Sequence, residues 1–258
     1  MVALVTGGGR GIGQGIALRL AKEGYTVAAV ARSADQLAET VKLAAGPMLA
    51  VVCDVANPAS VSAMAREVKE KLGPVDLLVN NAGIGDPFGK FWELDPEEWW
   101  HCQEVNLRGP MLCCREVLPG MVARRTGCII NVVSGAGNQA FPDMSSYVVS
   151  KTALVRFSEQ LALELASDTI GVFPIRPGLV RTAMVEAALP RLPLIQKMFD
   201  DGLENNVDVV ADLVLKLASG AANRLSGRLF SVGDNVNEIV RRADEIRKND
   251  DRLLRART

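Results

Sequence analysis

The residues with the clearest chemical potential are Tyr147 and Lys151, which stand four positions apart. Residues at this spacing project from nearly the same face of a helix, so the ammonium group of Lys151 can lie beneath the phenol of Tyr147. A free phenol has a pKa of about 10 and transfers protons poorly at neutral pH. A nearby cation favours the ionised phenol and would bring its pKa toward the working pH, where acid–base catalysis is most efficient. The pair therefore predicts a proton-transfer site.

Two further polar residues precede this pair, Ser134 and Asn106. Ser134 ends an apolar run, and its hydroxyl can donate a hydrogen bond to a carbonyl oxygen on which negative charge develops. Each residue also has a structural interpretation, Ser134 as a cap at the end of a strand and Asn106 as a packing amide inside a helix. The order of all four residues along the chain, rather than any one of them, favours catalysis.

An alternation of β-rich apolar runs and helical patterns must position these side chains. Such alternation is typical of parallel strands joined by right-handed crossovers, with helices on both faces of the sheet. The sequence therefore predicts an α/β protein with a Rossmann-type doubly wound, seven-stranded and mostly parallel sheet, and a single domain over residues 1–258. The predicted strands are 2–5, 26–30, 48–53, 76–79, 128–133, 170–175 and 228–232.

A glycine-rich loop, Thr6-Gly7-Gly8-Gly9-Arg10-Gly11-Ile12-Gly13, lies between the first predicted strand and the first helix. Glycines here permit a sharp turn and a close approach of the backbone to a pyrophosphate, while the helix N-terminus offers free N–H groups to the anion. An ordinary tight turn is the alternative. The position of the loop after the first strand favours nucleotide binding.

Two helical segments carry more apolar residues than one buried face requires, at 153–165 and around 111–122. A second buried face is implied, so we expect these helices to form a homodimer or homotetramer. Another helix starts at Ser33, because Ser33-x-x-Gln36 is a capping-box pattern with Asp35 in the first turn.

Composition excludes several other classes of protein. The formal net charge of −1 and the pI of about 6.0 argue against a nucleic-acid partner. The sequence contains no run of eighteen apolar residues, so no membrane span is expected, and its start shows no secretory signal. The five cysteines are odd in number and lack metal-ligand spacing, which favours reduced thiols, a cytoplasmic location and no bound metal. The only histidine, His101, has no evident second ligand and is expected to be structural.

Taken together, these motifs resemble the short-chain dehydrogenase/reductase family, and the resemblance spans about residues 1–235. The matching residues are Thr6-Gly7-x-x-x-Gly11-x-Gly13, Asp54, Asn80-Asn81-Ala82-Gly83, Asn106 in Val105-Asn106, Ser134, Tyr147-x-x-x-Lys151, and Pro177-Gly178 with Thr182.

The resemblance implies an oxidoreductase in which Tyr147 is the acid and base, Ser134 bonds the substrate oxygen and Asn106 holds a water that links Lys151 to solvent. Lys151 would also bond the nicotinamide ribose. Asp54 would bond the adenine amino group. The implied cofactor-binding residues are Gly7, Gly9, Arg10, Gly11, Ile12, Gly13, Arg32, Ser33, Asp54, Val55, Asn81, Ala82, Gly83, Tyr147, Lys151, Pro177, Gly178, Val180 and Thr182.

Charge at the end of the second strand indicates which nicotinamide cofactor is preferred. Enzymes that select NAD usually place an acid there for the ribose hydroxyls. This strand instead ends Val30-Ala31-Arg32, and Arg10 in the glycine loop could supply a second cation. Arginine suits a phosphate because its planar group donates two hydrogen bonds. We therefore expect NADP(H) to be preferred, with NAD(H) possible and solvated surface arginines as the alternative.

An apolar segment at 182–205 corresponds to the family's mobile substrate lid, and Phe88, Phe91 and Trp92 come from another loop at the same sheet edge. Their character favours an apolar or aromatic carbonyl compound, although packing between subunits is an equal alternative. A charged helical tail is expected at about 236–258.

The chain departs from the family pattern at two places. Val172-Phe173, followed by Pro174 and Arg176, replaces the usual Val-Asn before Pro-Gly, and Gly233-Asp234-Asn235 replaces Asp-Gly-Gly. The main hypothesis is an NADP(H)-dependent carbonyl reductase or secondary-alcohol dehydrogenase. The alternatives are a non-catalytic nucleotide sensor or scaffold, an NAD(H)-preferring alcohol dehydrogenase, and an epimerase or dehydratase.

Overall fold

A computed structural model of the chain describes residues 1–165 and 169–255. Its centre is a seven-stranded sheet in the order β3-β2-β1-β4-β5-β6-β7, and every neighbouring pair of strands is parallel. The strands are β1 Val2–Thr6, β2 Thr26–Ala31, β3 Met48–Val52, β4 Leu77–Asn80, β5 Gly127–Val132, β6 Ile170–Arg176 and β7 Phe230–Ser231. The prediction of a doubly wound sheet is confirmed, and the described strands are all parallel rather than mostly so.

Helices cover both faces of this sheet. They are α1 Gly11–Lys22, α2 Ala34–Leu43, α3 Pro58–Leu72, α4 Pro96–Gln103, α5 Gly109–Arg124, α6 Ser145–Glu164, α7 Ala183–Ala188, α8 Pro193–Asp200, α9 Val207–Ala218, α10 Val236–Arg241 and α11 Ala243–Lys248. One turn of π-helix, Glu104–Arg108, joins α4 to α5. The predicted cap of α2 is present, since the Ser33 side chain accepts a hydrogen bond from the Gln36 N–H.

The apolar core lies in two layers, one on each face of the sheet. Strand residues alternate between them, so that Ala3 and Val5 of β1 pack against α1 and α9, while Val2 and Leu4 pack toward α3 and α5. All five residues of β1 are buried. Burial on both faces is the physical reason that the strands read as continuous apolar runs.

The order of the strands reverses direction beside β1, because β2 lies on one side of it and β4 on the other. The loops that leave the carboxyl ends of β1 and β4 diverge here to opposite faces and open a crevice. The glycine loop, Asp54, Asn81 and Ser134 follow β1, β3, β4 and β5 respectively, so these predicted site residues lie at this edge.

Two predicted elements differ from the structure at the C-terminal end. The strand predicted at 228–232 contracts to Phe230–Ser231, because the Leu229 N–H donates to the Arg252 carbonyl and not to β6. The single helix predicted over 236–258 is broken at Arg242 into α10 and α11 and ends at Lys248, a break that lets both Val236 and Ile246 reach the core. Residues 256–258 of that prediction lie outside the described residues.

The two helices predicted to form a subunit interface are α5 and α6. Their inner faces are buried, and each leaves apolar side chains in solvent, with Met111 42% exposed, Val122 41%, Val149 46% and Leu163 65%. The oligomer itself stays a prediction. Within the described ranges, none of the helices combines the length and apolarity required to cross a bilayer. All five cysteines are buried and free.

Candidate active site

The glycine loop forms a tight turn between β1 and α1. Gly7 and Gly11 have φ values of +69° and +57°, a backbone conformation that glycine adopts without a steric penalty. A Cβ atom on Gly13 would lie 2.2 Å from the Gly7 carbonyl oxygen, so only glycine permits this approach. Thr6 Oγ1 accepts hydrogen bonds from the backbone N–H groups of Asn81 and Ala82, which ties the loop after β4 to the glycine loop.

A cavity of about 780 Å³ runs along this edge of the sheet, and it contains nearly all of the site residues predicted from the sequence. Of those, the residues that line it are Gly7, Gly9, Arg10, Gly11, Ile12, Arg32, Ser33, Asp54, Val55, Asn81, Ala82, Gly83, Ser134, Tyr147, Lys151, Pro177, Gly178, Val180 and Thr182. Two predicted site residues do not line it. Gly13 packs behind the loop against Gly7, and Asn106 is fully buried beneath the floor.

Tyr147 and Ser134 meet in the middle of this cavity. Ser134 follows β5, and its hydroxyl also accepts from the Ala136 N–H, which fixes the start of a short 3₁₀ turn at Gly135–Gly137. Burial raises the pKa of Tyr147 above its ordinary value, and a hydrogen bond with Ser134 acts in the opposite direction. The structural interpretation of Ser134 as a cap is thus correct, and the same side chain lines the cavity together with Tyr147.

Lys151 lies one turn of α6 beyond Tyr147. Its Nζ atom is 5.7 Å from the centre of the Tyr147 ring and donates a 3.0 Å hydrogen bond to the Val132 carbonyl oxygen. The residue is only 5% exposed. Burial lowers the pKa of Lys151 to about 8, so the group is still largely a cation at neutral pH.

The structure differs from the sequence expectation for the phenol pKa. The sequence predicted that Lys151 lowers the pKa of Tyr147, whereas burial of the phenol dominates and raises it. Spacing along a helix indicates that two groups share a face, but the loss of water around both of them depends on the surrounding fold.

The Asn106 side chain is held by three hydrogen bonds to neighbouring segments. It lies in the π-helical turn, where its side-chain oxygen accepts from the Ile84 N–H at 2.9 Å and its Nδ2 donates to the Ile84 carbonyl at 2.9 Å. The same Nδ2 donates to Ser150 Oγ at 3.0 Å. The side chain thus clamps the loop after β4 to α6. The packing-amide interpretation fits its side chain, and its water-holding role stays a prediction.

Sequence reasoning missed the partners of this clamp, Ser150 and Cys102. The Asn106 Nδ2 lies 3.3 Å from Cys102 Sγ, and Ser150 Oγ donates to the Tyr147 carbonyl. Ser150 precedes Lys151 directly, and Cys102 is four residues before Asn106 on the helix. The i, i+4 spacing of Cys102 and Asn106 was the only signal in the sequence that could have indicated this contact.

Asp54 follows β3 and lines the cavity. One of its carboxylate oxygens accepts from the Ala56 N–H at 3.0 Å, and its own N–H donates to Ser60 Oγ. The first oxygen therefore caps the turn after β3, and the residue still lines the cavity. At the end of β4, buried Asn80 donates a 2.8 Å hydrogen bond to the Asn131 side chain and links β4 to β5 beside the cavity.

Two arginines lie at the end of the cavity formed by the glycine loop and β2. Both Arg10 and Arg32 are exposed. Within residues 1–165 and 169–255, neither guanidinium forms an ion pair with a carboxylate, so both charges are available to a ligand. Gln36, which the sequence analysis did not select as a site residue, also lines this end.

The opposite end of the cavity is apolar. Its walls come from the loop after β4, the loop before α6 and the segment 182–205, and are formed by Ile84, Phe88, Phe141, Met144, Met184, Val185, Ala188, Leu192 and Ile195. Arg191 of that segment donates to the Phe88 carbonyl at 3.1 Å, which joins two of the walls. Phe91 and Trp92 were expected beside Phe88 but are absent from the described lining. They lie in a 3₁₀ turn at Phe91–Glu93 and are 65% and 77% exposed.

A dinucleotide fits the residues that are present. The volume lies within the range of ligand and cofactor pockets, roughly 300–1,000 Å³. The backbone turn at Gly7 and Gly11 would be obstructed by side chains, as expected where a pyrophosphate approaches the backbone. The glycine loop would hold that group at the N-terminus of α1, and the ends of Tyr147 and Lys151 would lie beside the nicotinamide.

Comparison with known proteins agrees with this geometry. The family model described as short chain dehydrogenase matches residues 1–192. The chain is 33% identical to the short chain dehydrogenase pigC of Monascus ruber, covering 95% of this chain and 83% of that protein. It is 33% identical to the 3-oxoacyl-acyl-carrier-protein reductase FabG of Staphylococcus aureus strain Mu50, covering 88% of this chain and 97% of that protein.

Solved structures give the same result. A tryptophan variant of actinorhodin polyketide ketoreductase, crystallised with NADPH, superimposes with a TM-score of 0.85 and 35% identity over 90% of this chain and 95% of that one. Levodione reductase superimposes with a TM-score of 0.84 and 27% identity, over 90% of this chain and 95% of that one.

Proposed function

Because the chain belongs to the short-chain dehydrogenase family, we propose that it is an NADP(H)-dependent oxidoreductase that interconverts a carbonyl group and a secondary alcohol. One observation carries the proposal: a cavity joins the glycine loop and two arginines, which form no ion pair with any described carboxylate, to Ser134, Tyr147 and Lys151. A sensor or scaffold would need the glycine loop and the arginines. It would have no use for the buried phenol and ammonium group in the rest of the cavity.

The preference for NADP(H) follows from charge. Arg10 and Arg32 present two cations to the part of the cavity nearest β2, and an acid for the ribose hydroxyls is missing from the end of that strand. A 2′-phosphate would interact favourably with both guanidinium groups. The NADPH in the similar ketoreductase structure supports this choice.

Three side chains divide the proton chemistry among them. Bound NADPH supplies the hydride to the carbonyl carbon when the substrate is reduced. Ser134 donates a hydrogen bond to the substrate oxygen, where negative charge develops, and Tyr147 delivers the proton to that oxygen. Lys151 has a pKa of about 8 and is a cation at neutral pH, so it stabilises the phenolate that remains. In the direction of oxidation, Tyr147 is the base that removes the alcohol proton.

The apolar end of the cavity determines the proposed substrate class. A carbonyl compound with an apolar or aromatic body would bury that body against Phe88, Phe141 and Met184, with its reacting oxygen between Ser134 and Tyr147. Segment 182–205 would act as the lid over it. Two similar proteins, named as a 3-oxoacyl-acyl-carrier-protein reductase and a polyketide ketoreductase, support this class of substrate. We further propose that α5 and α6 form the interface of a homodimer or homotetramer.

The test measures NADPH consumption, as the loss of its absorbance, with each member of a panel of ketones, aldehydes, quinones and β-ketoesters. We expect turnover with at least one apolar member, and Tyr147→Phe should abolish that turnover while leaving the Kd for NADPH nearly unchanged. Tyr25→Phe is the matched control, because Tyr25 is the only other tyrosine and is buried in the core beside β2. Tight NADPH binding without turnover of any member would favour a nucleotide sensor.

A further inference from the structure

The residues after α11 run back along the open edge of the sheet and are attached there by several contacts. We call residues 250–255 the C-terminal segment. The Arg252 guanidinium donates to both carboxylate oxygens of Asp234, at 2.7 and 2.9 Å, and to the Leu229 carbonyl at 2.8 Å. The Arg252 carbonyl accepts from the Leu229 N–H at 2.9 Å. Further along, Arg255 pairs with buried Glu159 of α6 at 2.6 Å.

A polar path leads from this attachment toward the site. Asp234 Oδ2 accepts from the Ser231 N–H at 2.7 Å, and Ser231 Oγ accepts from Arg176 Nε at 2.8 Å. Arg176 Nη1 donates a longer bond, 3.4 Å, to the side-chain oxygen of Asn138. Asn138 ends the 3₁₀ turn Gly135–Gly137 that follows the proposed catalytic serine. Every step of this path is a direct hydrogen bond.

An apolar path leads to the same turn. Leu254 packs against a small separate core, formed by Val133, Leu154, Val155 and Leu229. Val133 directly precedes the serine. Val155 lies against the turn so closely that a Cβ atom on Gly137 would be 3.0 Å from its Cγ2 atom. The C-terminal segment therefore closes the cluster that supports the turn from below.

The two departures from the family pattern take part in the polar path. Arg176 lies just before Pro177-Gly178, and Asp234 belongs to the Gly-Asp-Asn triplet after the last strand. They are about sixty residues apart in sequence, yet both bond Ser231. Contacts with Leu229 and Asp234 would be enough for a segment that only covered the sheet edge. The additional bond from Arg176 to Asn138 extends the path to the turn.

We propose that the C-terminal segment fixes the position of Ser134, with Arg176, Asp234 and Arg252 as positioning residues for the reaction. The proposal rests on the function proposed above. None of residues 250–255 lines the cavity. It acts by holding Asn138 and Val155, so that the turn keeps the Ser134 hydroxyl against Tyr147. Displacement of such a group by about 1 Å can reduce the rate roughly 100-fold.

The test compares Arg252→Ala and Asp234→Asn with Arg224→Ala. The control residue forms an exposed ion pair with Asp244, away from the path. Hydrogen exchange of the Ala136, Gly137 and Asn138 amides reports on the turn directly, because all three are hydrogen-bonded within it. In the first two variants we expect that exchange to rise about tenfold or more and kcat to fall at least about tenfold. The Kd for NADPH should stay within about twofold of wild type.

Arg252→Lys, which keeps the charge, should recover part of both losses. Unchanged exchange at the turn in folded Arg252→Ala and Asp234→Asn would overturn the proposal, even if kcat fell. An equal effect of Arg224→Ala on exchange and kcat would overturn it as well, because it would indicate general loosening. If the wild-type protein reduces no carbonyl compound, the proposed function fails, and the exchange measurement still decides whether the segment holds the turn.

Discussion

Replacement of Lys151 by methionine should stabilise the protein at neutral pH while it removes activity. Burial lowers the pKa of this ammonium group from 10.5 to about 8, so the folded protein disfavours its charged form. Between these two values the unfolded chain holds a proton that the folded chain has released, and the free energy of unfolding therefore rises with pH over that interval. Below about pH 8 the folded state carries the full cost of the buried charge.

The size of this cost follows from the change in pKa. At about 1.4 kcal/mol for each tenfold change in proton affinity, the charged lysine destabilises the folded protein by about 3 kcal/mol at pH 7. Methionine has similar volume and no charge, and loss of the hydrogen bond to the Val132 carbonyl offsets only part of the gain. We therefore expect Lys151→Met to raise the free energy of unfolding by about 2–3 kcal/mol at pH 7.

The assay is urea denaturation of wild type and variant from pH 6 to pH 10. The gain from Lys151→Met should be constant up to about pH 8 and shrink steadily above it as the wild-type lysine loses its proton. Lys42→Met is the matched control, because Lys42 is 69% exposed and its replacement should have a small effect that does not change over this range. A variant less stable than wild type at pH 7, or a gain that is the same at pH 7 and pH 10, would refute the reasoning.

Three other substitutions test the remaining parts of the site. Arg32→Asp should weaken NADPH binding at least about 100-fold and NADH binding far less, because a carboxylate repels the 2′-phosphate; titrations that leave the preference unchanged would place the phosphate elsewhere. Gly13→Ala would put a methyl group 2.2 Å from the Gly7 oxygen, so calorimetry should show a loss of about 2–4 kcal/mol in the free energy of unfolding, together with weak NADPH binding. Gly120→Ala is the control and should cost little stability, because a Cβ atom there has no described neighbour within 4 Å. Asn106→Ala leaves both backbone groups of Ile84 without their partner, and urea denaturation should show a loss of about 2–3 kcal/mol; wild-type stability would contradict the clamp.

The sequence alone determined the architecture of this protein. Its strands are buried on both faces, so they appear as continuous apolar runs that need no knowledge of distant residues to identify. The glycine loop is equally local, because the turn between β1 and α1 is made by neighbours in the chain. The helical spacing of Tyr147 and Lys151 also indicated correctly that both reach one cavity, and the end of β5 brought Ser134 to the same edge.

Only the tertiary structure decided what surrounds these groups. Burial, which no spacing pattern reports, raises the pKa of Tyr147, opposite to the direction expected from the lysine. The Asn106 side-chain amide is hydrogen-bonded to the backbone of Ile84, twenty-two residues away in sequence. The break of the predicted C-terminal helix, and the return of Arg252 to Asp234 at the sheet edge, depend on long-range packing and ion pairing. Local patterns specify which elements form, whereas desolvation and contacts between distant segments are properties of the assembled fold.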